Sequence, residues 1–139
     1  MPSIFSRIIA GELPGTFVWQ DDDVVAFLSI APIIPGHTLV VPRQEIDIWT
    51  DLPADLLAKV TDVSAHIGRA VTTAFDAPRS GVIIAGFEVP HTHVHVFPAS
   101  ELGVFDFSRA QPVDPSELLA PAEKIREALR AAGRSEVAG

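Results

Sequence analysis

Apolar residues recur at three- and four-residue steps in two parts of the chain, which is the spacing of an amphipathic helix. The first part predicts a short helix over residues 4–10, which Gly11 ends. The second predicts the main helix over residues 53–75, and its apolar positions are Leu56, Leu57, Val60, Val63, Ile67 and Val71. The polar residues between these positions are expected to form a solvent-facing surface.

The C-terminal part has a weaker helical pattern. Asp114 and Glu117 are typical of a capped helix start, but Pro121 would cost about 3 kcal/mol inside a helix, so the helix could also begin there. Residues 133–139 are expected to be a frayed tail. The predicted C-terminal helical segment and tail together cover residues 112–139.

Short runs of β-branched and aromatic residues predict strands between these helices. A polar turn at residues 20–23 separates the first two runs, as in an antiparallel hairpin. The strand-like runs cover residues 16–19, 24–28, 37–41, 81–87 and 92–97. With 139 residues, no repeat and no linker, the pattern predicts one α+β domain, residues 1–139, around an antiparallel sheet.

Composition excludes several classes of protein. The net charge of -8 opposes a general attraction to nucleic-acid polymers or anionic membranes. The chain has no cysteine, which excludes disulfides, thiolate metal ligands and a cysteine nucleophile. No apolar run approaches the roughly 20 residues that span a bilayer, and Arg7 and Glu12 interrupt any signal-peptide core. We therefore expect a soluble cytoplasmic protein.

Three of the five histidines stand at alternate positions of one predicted strand, in the segment HTHVHVFP. Because strand side chains alternate between faces, His91, His93 and His95 are expected to line one face. Such a stripe could bind zinc with an open fourth position, or carry phosphoryl transfer to an imidazole, or be a polar surface strand. The stripe alone leaves these three interpretations open.

A fourth histidine opens the predicted strand at residues 37–41. The turn formed by Pro35 and Gly36 could place His37 at the rim of the sheet beside the other three, and the alternative is an exposed loop histidine. His66 lies on the long helix, where we expect it to face solvent without a role.

The segment HTHVHVF resembles the signature of the histidine-triad (HIT) family, His-φ-His-φ-His-φ-φ with φ apolar, apart from Thr92. Two upstream stretches, IFSRIIAGELPG and QDDDVVAFLSIAPIIPGHTLVVPR, are similar to the N-terminal half of that family in order and spacing. The resemblance covers residues 3–98. It implies a five-stranded antiparallel sheet with one long helix, one short helix and a C-terminal helix, usually in a homodimer whose sheets join edge to edge.

The resemblance also implies nucleotide chemistry that needs no metal or cofactor. In the family, the middle histidine takes a nucleoside monophosphoryl group from a phosphoramidate, an adenylate or a polyphosphate and then yields it to water. This implies that His93 is the nucleophile and that His95 binds or protonates phosphoryl or leaving-group oxygens. His91 and His37 would orient the others. The expected ligand is a nucleotide or another small phosphate compound.

A substrate-binding surface is implied by the same resemblance. Its apolar members are Ile4, Phe5, Ile8, Phe27, Ile30 and Val89. Ser29 stands where the family carries an acidic residue for the ribose hydroxyls, and a hydroxyl is a weaker acceptor than a carboxylate. Glu88 stands where a side chain often faces a phosphate, and its negative charge would repel one.

Further departures indicate a divergent branch of the family. Phe87 stands at the usual glutamine position in GVIIAGFEVPH, and the loop before the triad is shortened. Ser3, Ser6 and Glu45 stand where many members carry the ligands of a structural zinc site, so we expect that site to be absent. Besides a phosphoryl-histidine hydrolase or transferase, two hypotheses therefore stay open: a nucleotide-binding or interaction module with little turnover, and a triad that binds a metal.

Overall fold

The computed structural model describes residues 2–139, which form an α+β fold. The helices and strands in chain order are α1 (Ile4–Ile9), β1 (Phe17–Gln20), β2 (Val24–Leu28), β3 (Thr38–Pro42), α2 (Ala54–Ala74), β4 (Arg79–Ile83), β5 (Val94–Ala99) and α3 (Leu119–Ala131). The predicted set of one short, one long and one C-terminal helix with five strands is confirmed. Within the described residues, no helix is both long and apolar enough to cross a membrane.

The five strands form one antiparallel sheet in the order β1-β2-β3-β5-β4. β2 and β3 lie inside the sheet and are buried along their whole length. β4 is an edge strand, and its Val82 is 52% exposed. An edge-to-edge homodimer, for which this free edge would be suited, stays a prediction.

The two faces of the sheet pack against different helices because strand side chains alternate. On one face, Val40 and Val96 pack against α2 and α3 through a large apolar cluster that includes Ile67 and Ile125. On the other face, a smaller cluster contains Phe5 of α1 and the sheet residues Val25, Phe27, Leu39 and Val41. The second face carries the histidines.

The fifth strand begins two residues later than predicted, and only one of the three alternating histidines lies in it. β5 begins at Val94, so His95 belongs to the strand whereas His91 and His93 precede it. The prediction that a single strand carries all three histidines is therefore wrong, although all three lie on the α1 face of the sheet.

The end of the ladder between β3 and β5 explains this later start. Val40 pairs with Val94, so Pro42 would face Thr92 in the continued register, and proline has no amide hydrogen to donate. The amide and hydroxyl of Thr92 donate instead to the carbonyl of Ile46, at 2.7 and 2.8 Å. The chain before β5 is thereby fastened to the loop that follows β3.

The fourth strand was predicted over residues 81–87 but covers Arg79–Ile83. Residues 84–88 run outside the sheet, and Gly86 adopts a left-handed φ of 77°, which a continuing strand does not allow. This change matters for function because the released loop contributes to the site described below.

The C-terminal segment also differs from its prediction. Asp114 and Glu117 cap a short 3-10 turn, and α3 follows with Pro121 in its first turn, where a missing amide hydrogen has no helical partner to lose. The tail is not frayed. The Ala138 amide donates to the Val18 carbonyl at 3.1 Å, and the Gln20 amide donates to the Glu136 carbonyl at 2.9 Å. β1 thus gains a backbone partner along its outer edge.

His66 was expected to face solvent, but its side chain is only 18% exposed. Its ring stacks on Trp19 with centroids 5.5 Å apart and an interplanar angle of 18°. Trp19 is itself buried in the large apolar cluster. His66 therefore packs on the core and lies on the face of the sheet that α2 and α3 cover.

Gly36 sets the entrance to β3. It has a φ of 96°, and a Cβ built there would lie 2.5 Å from Cε2 of Phe75. We expect Gly36→Ala to lower the free energy of unfolding by about 2 to 4 kcal/mol, because backbone strain and overpacking add. Urea denaturation measures this loss.

Gly11 provides the matched control, since its φ is 82° but nothing lies within 4 Å of a built Cβ. We expect Gly11→Ala to cost only about 1 kcal/mol, the backbone strain alone. Equal losses in the two variants would contradict the account of the turn before His37.

Candidate functional site

Four histidines form one cluster on the α1 face of the sheet. Nε2 of His37 lies 2.9 Å from Nδ1 of His95, and the rings of His93 and His95 have centroids 4.9 Å apart. Nδ1 of His93 lies 2.7 Å from the carbonyl oxygen of His91. The structure therefore brings together the four histidines that the sequence selected.

Backbone groups fix which nitrogen of His37 and His95 carries the proton. The amide of Ile33 donates to Nδ1 of His37 at 3.0 Å, so this nitrogen carries a lone pair. The proton of neutral His37 is then on Nε2, which donates to Nδ1 of His95. The proton of neutral His95 is consequently on its own Nε2.

His91 and His93 are fixed in the same way, but with opposite results. Nε2 of His91 donates to the carbonyl of Pro42 at 2.7 Å, and the hydroxyl of Ser3 donates to Nδ1 of His91 at 2.7 Å. The carbonyl of His91 accepts from Nδ1 of His93, because a carbonyl oxygen can only accept. Neutral His93 therefore keeps a lone pair on Nε2.

Two ring nitrogens of the cluster have no hydrogen-bond partner among residues 2–139: Nε2 of His93 and Nε2 of His95. One offers a lone pair and the other an N–H. Both nitrogens of His91 are engaged, so the triad does not present three imidazole lone pairs to one ion. Nor does any group of three or more His, Cys, Asp or Glu in the described part of the chain have a metal-holding arrangement.

Burial keeps these imidazoles neutral. Desolvation, with the nearby His93, lowers the pKa of His37 to about 4, and desolvation, with His37 and His93 nearby, lowers the pKa of His95 to about 3. Burial also lowers the pKa of His91 and of His93. At neutral pH the cluster is uncharged, which is the state that the hydrogen-bond directions require.

A network of hydroxyls and one carboxylate fastens α1 to His91. Ser3 is the N-cap of α1 and accepts from the amide of Ser6 at 3.0 Å while its own hydroxyl donates to His91. Oε1 of Glu45 accepts from the Ser3 amide at 2.6 Å and from the Ser6 hydroxyl at 2.7 Å. These bonds lower the pKa of Glu45, so the carboxylate stays charged.

The same network shows why a zinc ion does not fit at this position. Ser3, Ser6 and Glu45 supply two hydroxyls and one carboxylate, which already pair with one another and with His91. Structural zinc sites use thiolate and imidazole ligands. The sequence indicated only that these three positions lack the usual zinc ligands. It did not predict the hydrogen bonds that they form with one another and with His91.

An apolar wall lies on one side of His93. The ring of Phe5 makes an edge contact with His93, at 4.8 Å between centroids, and a second one with Phe27 at 5.5 Å. Ile8 and Val89 pack against the same cluster. The remaining predicted members of this surface, Ile4 and Ile30, are 47% and 68% exposed and lie outside the cluster.

Ser29 lies in the turn that follows β2. Its amide donates to the carbonyl of His37 at 3.0 Å, and its hydroxyl accepts from the amide of Ala31 at 3.2 Å. The hydroxyl is thus used within its own turn, which further weakens it as a ribose acceptor.

A cleft of about 230 Å³ opens on the other side of His93. Its lining residues are Ala85, Gly86, Phe87, Glu88, His93, His95 and Phe107. The ring of Phe107 lies 4.8 Å from that of His95. Sequence reasoning missed Phe107, because it lies in a short 3-10 turn after β5 where no periodic pattern marks it.

A larger groove of about 340 Å³ lies elsewhere on the surface, but no titratable side chain lines it. It is lined by Trp49, Leu52, Leu57, Val60, Thr61, Ser64, Ala65, Ser80, Val82, Ile84, Thr92 and Val94. The histidine cleft is therefore the candidate functional site.

The sequence and the fold agree on the family. Residues 10–102 match the HIT domain. The solved structure of a hypothetical histidine triad nucleotide-binding protein of Sulfolobus tokodaii has a TM-score of 0.82 at 27% identity, over 94% of this chain and 93% of that chain. The chain belongs to the HIT domain family, and it has the fold of nucleotide-binding hydrolases and transferases.

Two relatives are similar to this chain over most of its length. An uncharacterised HIT-like protein of Methanocaldococcus jannaschii is 34% identical over 125 residues, which cover 84% of this chain and 95% of the relative. A purine nucleoside phosphoramidase of Escherichia coli strain K12 is 36% identical over 107 residues, which cover 73% of this chain and 90% of the relative.

Ser3 tests the network behind His91. We expect Ser3→Ala to lower the free energy of unfolding by about 2 kcal/mol, because it removes a helix cap and the short hydrogen bond, 2.7 Å, to Nδ1 of the buried His91. Ser6→Ala removes the exposed bond to Glu45 and a long contact, 3.5 Å, between the Ser6 hydroxyl and Nδ1 of His91, which together cost about 0.5 kcal/mol. Urea denaturation compares the two, and an equal loss would contradict the proposed contact with His91.

Proposed function

We propose that the protein cleaves the phosphorus–nitrogen bond of nucleoside phosphoramidates through a phosphoryl intermediate on His93. The observation that carries this proposal is the 2.7 Å hydrogen bond from Nδ1 of His93 to the His91 carbonyl, which leaves the Nε2 lone pair free at the cleft. The name of the E. coli relative, purine nucleoside phosphoramidase, supports the choice of bond.

The reaction has two displacements on phosphorus. In the first, Nε2 of His93 bonds to phosphorus and the phosphorus–nitrogen bond breaks. The departing nitrogen takes up the proton that Nε2 of His95 carries. In the second, water attacks the phosphoryl-histidine and returns one proton to Nε2 of His95, so that the nucleoside monophosphate leaves and His93 recovers its lone pair. The His91 carbonyl holds Nδ1–H throughout, which stabilises the positive charge that the phosphorylated ring acquires.

The other site residues orient these two histidines. His37 donates to Nδ1 of His95. The N–H of His95 is therefore on Nε2, the nitrogen that does not contact His37. His91 is held between Pro42 and Ser3, and its carbonyl positions His93. These roles require no metal ion, because neutral imidazoles and backbone carbonyls supply the lone pair, the N–H and the orientation.

The nucleoside is proposed to bind on the α1 side of His93. Phe5, Ile8, Phe27 and Val89 give an apolar wall that suits a base, whereas Ile4 and Ile30 are exposed and lie outside this cluster. Ser29 would make at most a weak ribose contact. We propose that the chain performs this reaction as a single HIT domain.

His93→Ala tests the nucleophile. We expect the wild type to release AMP from adenosine phosphoramidate and the variant to lose about a thousandfold or more in kcat, because no other free imidazole lone pair lies at the cleft. Rapid quenching and intact-protein mass spectrometry should find a nucleotidyl group on the wild type and none on the variant.

The matched control is His66→Ala, since His66 stacks on Trp19 on the opposite face of the sheet. This variant should keep wild-type turnover. AMP binding by a wild type that turns over no phosphoramidate would overturn the proposal and favour the nucleotide-binding module. Equal turnover by wild type and His93→Ala would also overturn it.

A further inference from the structure

The cleft beside His95 carries side chains that phosphoryl transfer alone does not need. Two aromatic rings, Phe87 and Phe107, line it together with one carboxylate, Glu88. Phe87 is 96% exposed and Phe107 is 40% exposed. Aromatic faces next to a carboxylate are the combination that binds an organic cation, through cation–π contact and charge pairing.

The charge of the cleft points the same way. Glu88 is its one charged side chain, since the histidines are neutral and no Lys or Arg of the described chain lines it. A polyphosphate leaving group would bring several negative charges against Glu88 without a cation to hold them. An amine that carries a second, protonated amino group would instead be attracted.

The position of the cleft fits the leaving group. His93 contacts Phe5 on one side, at 4.8 Å, and His95 on the other, at 4.9 Å. If the nucleoside occupies the apolar side, the group that departs from phosphorus lies toward His95 and Phe107. The N–H of His95 is then directed at the departing nitrogen.

We propose that Glu88, Phe87 and Phe107 form a subsite for a cationic alkylamine leaving group, so that the preferred substrates are phosphoramidates of diamines or of lysine-like amines. This inference rests on the proposed function and adds the class of leaving group to it. The phosphorus–nitrogen bond breaks as described above, and the distal ammonium keeps its charge beside Glu88.

Three AMP-amidates of equal chain length test this subsite: those of pentanediamine, hexylamine and aminohexanoate. They share the reacting bond and differ only in a terminal ammonium, methyl or carboxylate. We expect kcat/KM of the wild type to be about fivefold to tenfold higher for the ammonium than for the methyl substrate, and lowest for the carboxylate.

Variants of Glu88 assign the preference. Glu88→Gln should bring the ammonium and methyl substrates to within about twofold, and Glu88→Lys should reverse the order so that the carboxylate substrate is preferred. Glu127→Gln is the matched control, because Glu127 is an exposed carboxylate on α3 outside the cleft, and it should keep the wild-type order. Phe87→Ala should lower kcat/KM for the ammonium substrate more than for the methyl substrate.

The outcomes separate this inference from the function on which it rests. Turnover that depends on His93 but is equal for the three substrates would overturn the cationic subsite and leave the phosphoramidase intact. The same holds if Glu88→Lys does not reverse the order. If the wild type cleaves none of the three, or if His93→Ala cleaves them equally, the proposed function falls and this inference falls with it.

Discussion

The hydrogen bond from Nδ1 of His93 to the carbonyl of His91 constrains the whole site. It is 2.7 Å long and its direction is fixed, because a carbonyl oxygen only accepts. A lone pair at Nε2 is the consequence, and this lone pair is the group that the proposed function assigns as the nucleophile. The bond exists because the chain leaves the β5 ladder before Val94, which allows residue 93 to fold back onto the carbonyl of residue 91.

The remaining contacts fix the ring of His91 and the position of the proton on His95. Pro42 and Ser3 engage both nitrogens of His91, so that its ring does not move relative to β3 and α1. Ile33 and His37 direct the proton of His95 to its free nitrogen. His93 therefore offers a lone pair and its neighbour offers an N–H, between an apolar wall and a cleft with one carboxylate.

Local patterns in the sequence predicted much of this arrangement. Helical spacing located α1 and α2, runs of β-branched and aromatic residues located β2 and β3, and the spacing of the histidines located the cluster. What failed depends on contacts between distant residues. The ladder stops because Pro42 faces Thr92, and the tail is ordered because Ala138 bonds to Val18. Phe107 reaches His95 by a turn that has no periodic signal. None of these pairings can be read from neighbouring residues alone.

The protonation state of the four histidines is the most direct test of this account. Two-bond proton–nitrogen correlation NMR on the ¹⁵N-labelled protein at neutral pH distinguishes the two neutral forms of each imidazole. We expect the proton of His93 on Nδ1 and the protons of His37, His91 and His95 on Nε2. A His93 that carries its proton on Nε2, or that is doubly protonated, would have no lone pair for phosphorus and would contradict the account.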